Sequence, residues 1–110
     1  MADIEKARKA LTTRILEGEG KASLSDRGAA FHNRGIAGPL CNLVDKVVEH
    51  AYQVTDEDIG AVKAAGFSED QIFEIVVCAA VGQATHQYDT AFAALQAATE
   101  RSEHAASSPR

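Results

Sequence analysis

The sequence predicts an all-α fold, and three observations carry that expectation. Helix-start and helix-stop signals punctuate the 110-residue chain from end to end. Apolar residues recur at three- and four-residue spacing. No stretch alternates with period two long enough to make a strand.

The elements follow in order. Asp3 caps a first helix that places Ile4, Ala7, Leu11 and Ile15 on one face, and Gly18 and Gly20 end it. SLSD at 23–26 offers a capping box into a short helix through Phe31, which Gly35 stops. Pro39 sits where a third helix begins, and Leu40, Leu43, Val44, Val47, Val48 and Ala51 give that helix its apolar stripe. TDED at 55–58 caps a short fourth helix, which Gly66 closes. SEDQ at 68–71 then starts a long Ala-rich helix running to about residue 102, with Gly82 as the place where it would kink. The tail from 103 to 110 is polar and expected to be disordered.

The last helix has two stripes. Phe73, Val77, Ala80, Ala84, Tyr88, Ala91 and Leu95 read as the core face. Ile72, Ile75, Ala79, Gln83, His86 and Thr90 form a second face that turns polar halfway. A helix apolar on two sides packs on both. The expectation is one face on its own chain and the other on a neighbouring subunit.

Bulk composition narrows the function classes. The length suits a single domain spanning 1–110, with a core over 23–102. The net charge is −5 and the basic residues are scattered, so no nucleic-acid stripe or membrane patch is expected. MADIEKARKAL has no apolar run of the signal-peptide kind, and IVVCAAVG at 75–82 is too short to span a bilayer. A cytoplasmic location follows as the default. Cys41 and Cys78 each sit among apolar residues, where a free thiol behaves as a small hydrophobe. No metal-ligand spacing and no phosphate-binding loop is present, so neither metal nor cofactor is expected.

The order short helix, AAGFS turn, then EDQIFEIVVCAA resembles the carboxymuconolactone decarboxylase and alkylhydroperoxidase D (AhpD-like) superfamily. The resemblance covers residues 36–95. It implies a compact AhpD-like helical domain and a homo-oligomer, commonly a trimer or a hexamer. The redox branch of that family carries Cys-x-x-Cys-x-x-x-His before the glycine turn, with a Glu upstream. Counted back from Gly66, those positions hold Ala51, Val54 and Asp58, and the Glu falls near Pro39. With all four missing, thiol peroxidase chemistry by the family route is not expected. The decarboxylase branch uses acid–base chemistry on a small lactone acid. A substrate carboxylate there would need a cation, and Arg34 is the only arginine near the matched region.

Candidate site residues remain. His86 follows Gln83 and precedes Asp89 by one turn each, which suits either a general base or a histidine on a solvated face. Glu74 lies among Ile72, Phe73, Ile75 and Val76, so it either faces solvent or has a partner and a raised pKa. His50 is a further catalytic candidate or a surface residue. Glu49 lines a pocket or pairs with Lys46, and Tyr52 points towards the region that the resemblance implies for the site. Asp56, Glu57 and Asp58 read as helix-start acids. Three functions are carried forward: a non-redox homo-oligomer that binds a small molecule or serves as an assembly, an acid–base enzyme of the lactone decarboxylase type, and a peroxidase.

Overall fold

The computed structural model describes residues 2–107, with side chains described for residues 3–102. Five helices follow in order: α1 (Ala2–Glu17), α2 (Leu24–His32), α3 (Gly38–His50), α4 (Asp56–Ala64) and α5 (Glu69–Ser107), with a 3-10 turn at Ala51–Gln53. No strand occurs among the described residues.

The starts and stops have visible causes. Ser68 accepts the Gln71 N–H at 3.1 Å, and Gln71 accepts the Ser68 N–H at 2.8 Å, so α5 opens on a complete capping box. Thr55 and Asp58 do the same for α4. Ser23 caps α2 through the Asp26 N–H. Expectations for α1, α2 and α5 are corrected here. Asp3 lies within the first turn of α1 rather than before it. Asn33, in the left-handed region at φ 51°, closes α2 before Gly35 is reached. Helix α5 passes unbroken through Gly82 and continues to Ser107, beyond the expected end near 102, so residues 103–107 of the expected disordered tail are helical. Residues 108–110 of that tail lie outside the described residues.

The core is small. Leu43 and Val44 of α3, Val62 of α4, and Ile75 and Cys78 of α5 are fully buried, joined by Ala22, Ala30, Leu40, Ile72 and Ala79. The stripe of α5 that enters the core is therefore the second one and not the one expected. Ile72, Ile75 and Ala79 face their own chain. Phe73 and Leu95, expected in the core, are 70% and 61% exposed. Gly82 explains the choice. A Cβ at that position would run into the Phe31 backbone of α2, so only glycine lets the end of α2 seat on this face.

Charged ties complete the packing. The buried Arg27 guanidinium donates to the carbonyls of Ala22 at 2.8 and 3.0 Å and of Gly18 at 2.6 Å. Lys46 of α3 pairs with Asp58 of α4 at 2.8 Å, so the expected Lys46–Glu49 pair does not form. Arg8 of α1 meets Asp89 at 2.6 Å and lies 4.1 Å over the Tyr88 ring.

The molecule is elongated. Its radius of gyration is 18.3 Å, where a compact chain of this length has about 13 Å. Its principal extents are 68 × 28 × 21 Å. The C-terminal part of α5 projects from the body, and only Phe92 is even half-buried between residues 90 and 102.

Candidate functional site

The sequence candidates fall in three places. Glu74 and His86 are twelve residues apart on α5, about 18 Å along its axis. They line different cavities. His50 and Tyr52 form a third group at the end of α3, with ring centroids 5.9 Å apart and Tyr52 82% exposed. Glu49 is exposed beside them. None of these three lines the cavity that holds His86, to which α3 contributes only Val48.

Glu74 overturns the expectation made for it. Its carboxylate accepts the Lys21 N–H at 2.8 Å and the Ala22 N–H at 2.6 Å. Those bonds, with the Arg27 and Lys21 charges nearby, hold its pKa below the ordinary carboxylate value against the opposing effect of burial. It is an ionised latch on the loop between α1 and α2 rather than a proton donor. The cavity beside it, of about 510 Å³, is lined by Arg14, Ile15, Arg27, Phe73 and Cys78 among others. Its two best-placed charges, Glu74 and Arg27, are already engaged with backbone groups.

The second cavity, of about 560 Å³, is different in kind. It lies where α5 runs past the C-terminal end of α2. Phe31, His32, Asn33 and Arg34 come from α2 and the turn after it, and Gly82, Gln83, Thr85, His86 and Asp89 come from α5. Gly82 builds the site: the close approach that it permits sets the end of α2, and with it His32 and Arg34, beside the polar middle of α5. Among the described residues the side chains of His32, Arg34, Gln83 and His86 make no hydrogen bond or ion pair. Asp89 is held by Arg8. His86 and His32 are exposed, and Gln83 is half-buried. His32 meets the Phe31 ring edge-on at 5.0 Å, which limits its freedom.

Chemically, the cleft offers a guanidinium, two imidazoles, two amides and a hydroxyl, with one carboxylate, Asp89, that Arg8 holds. That set suits recognition of a small polar molecule carrying an anionic group. Sequence reasoning placed His86 and Gln83 together and named Arg34, but did not single out His32. The signal was the segment FHNRG, which sets two basic side chains at the end of a helix. Arg27 was also missed. Its position one turn before Ala30 and Phe31, on the buried face of α2, marks a charge needing partners.

The thiols lie apart from this cleft. Cys78 is buried, its Sγ is 3.5 Å from the Ile15 carbonyl, and burial pushes its pKa up. Cys41 is half-buried, and desolvation together with the Asp45 carboxylate raises its pKa. Among the described residues no group of three or more histidine, cysteine or acidic side chains is placed to hold a metal. No described helix is long and apolar enough to cross a membrane.

Compared with family models, with curated proteins and with solved structures, the chain finds no match in any of the three.

Proposed function

We propose that this chain is a non-redox, carboxymuconolactone decarboxylase-like homo-oligomer that binds a small organic anion in the cleft between α2 and α5. One observation carries the reading: His32, Arg34, Gln83 and His86 converge on a single cavity, and none of the four has a protein partner among the described residues. Arg34 would hold a carboxylate through its planar pair of N–H donors. The absence of Lys and Arg from residues 64–100 is then no obstacle, because α2 brings the cation to α5.

A second reading is an acid–base enzyme of the lactone decarboxylase type. His86 and His32 supply proton-transfer groups in one cleft, and Asp89 lies one turn beyond His86. Glu74 and His50 take no part in this version, since neither lines the cleft. The peroxidase reading has the least support, because neither thiol pKa is lowered and neither stands in the Cys-x-x-Cys arrangement.

The test is a titration with small keto acids and lactone acids, followed by NMR through the imidazole resonances of His32 and His86. Saturable shifts at both rings are expected, and Arg34→Ala should weaken binding at least tenfold with the solution mass unchanged. Equal affinity in the variant would remove the assigned role of Arg34. No shift with any compound would remove the binding reading.

A further inference from the structure

The projecting part of α5 is unusual for a solvated helix. Between Ile75 and Thr99 the only acidic or basic side chain other than His86 is Asp89, and Arg8 neutralises it. From Thr90 to Thr99 no charged residue occurs on any side, although this stretch is almost wholly exposed. Helix α1 shows the contrast, with charges spread along its 16 residues. A helix that stands alone in water carries polar residues on its free faces. This one carries mainly alanine with Phe92 and Leu95, and its only polar residues are Thr90, Gln96 and Thr99.

The exposed stripe is symmetric about Ala84. Phe73 lies eleven residues before Ala84 and Leu95 eleven after it. Val77 lies seven before and Ala91 seven after. Eleven residues are close to three helical turns and seven are close to two, so all five positions share one face. Ala80 and Tyr88, four residues either side of Ala84, complete the face, which lies opposite the core face that carries Ile75 and Gly82; Val77 and Tyr88 are half-buried, Tyr88 under Arg8, and the other positions are exposed.

From this pattern we infer that α5 pairs antiparallel with α5 of a second copy, with Ala84 at the two-fold axis. The inference rests on the homo-oligomer reading above and specifies its contact. In this register Leu95 of each copy covers Phe73 of the other, and the bare projection of one lies along the body of its neighbour. At the centre Ala84 meets Ala84, and Tyr88 of each copy lies over the small Ala80 of the other. The ends agree in charge. The exposed first-turn Asp70 of one copy approaches Arg101 of the other, Glu69 being already paired with Lys63 at 2.7 Å, whereas a parallel pair would set Asp70 against Asp70. Glu100 falls on the side of the helix away from the stripe. The shared length, residues 69–99, is about 45 Å. With a width near 10 Å, such a contact buries on the order of 1,000 Å² in total, about the threshold for a specific interface. A two-fold contact is isologous, so it builds a dimer or a hexamer and not a simple three-fold ring.

Disulfide trapping and solution mass test this together, in a Cys41→Ser background that retains the buried Cys78. Light scattering should give an even multiple of the chain mass. Ala84→Cys should oxidise to a covalent dimer without changing that mass. Phe73→Cys alone should not cross-link, whereas Phe73→Cys with Leu95→Cys should. Phe73→Lys should lower the mass, and adding Leu95→Glu should restore it. Circular dichroism confirms that each variant stays helical. A monomeric parent chain would overturn both this pairing and the homo-oligomer reading. An oligomer in which Ala84→Cys fails to cross-link and Phe73→Lys has no effect would leave the oligomer standing and overturn the pairing. A three-fold mass would do the same.

Discussion

Glu74 is an acid in an apolar run, and its use depends on what meets it. Two backbone N–H groups and the nearby Arg27 keep it ionised. Its folded-state pKa lies below the ordinary value of 4.5, so its contribution to stability is complete above that pH. It is lost as the pH falls through the lowered folded value. Glu74→Gln should cost about 1–2 kcal/mol at pH 7, because an amide presents one acceptor and a clashing NH₂ to the same donors. Urea unfolding should show the gap between variant and parent narrowing towards pH 3. A gap independent of pH would mean that Glu74 acts through packing and not through charge. The sequence marked Glu74 as a residue needing explanation, but not the sign of its shift. That sign depends on N–H groups of residues 21 and 22, which only the tertiary fold delivers. For His32 the only local signal was the segment FHNRG, and that alone does not tell a cleft histidine from a solvated one at a helix end, since α5 completes the cleft.

At the level of elements, local signals were enough for most boundaries and not for the choice of face. The boxes at 55–58 and 68–71 were readable because each is satisfied within four residues. The face of α5 was not, because both stripes begin with large apolar residues. What decides between them is Gly82, on the stripe that takes the end of α2. Gly82→Ala should therefore destabilise the protein by about 1–3 kcal/mol through overpacking, despite the better helix propensity of alanine. It should also distort the cleft that Gly82 lines. Gly60, exposed in α4 with no neighbour near an added Cβ, is the control, and Gly60→Ala should stabilise by about 0.5–1 kcal/mol. Thermal unfolding of the two variants reads both signs. If Gly82→Ala proves neutral, α2 does not sit against α5 as closely as described.

For the whole molecule, an all-helical chain with one long terminal helix was legible in the sequence, and the elongated shape was not. A pattern of alanines does not say where a helix leaves the body. The same holds for the cleft, which needs α2 and α5 side by side to bring Arg34 and His86 to one cavity. The non-redox binding role proposed above rests on the resemblance in the sequence and on the residues of the cleft, and it is a proposal for the measurement to decide. The most direct measurement is a crystal structure of the full assembly soaked with a small keto acid. The account predicts a cleft still open in the assembly, with the carboxylate of the acid against Arg34 and the rest of the molecule beside His86. A cleft filled by side chains of a neighbouring subunit, or a ligand bound only elsewhere, would contradict it.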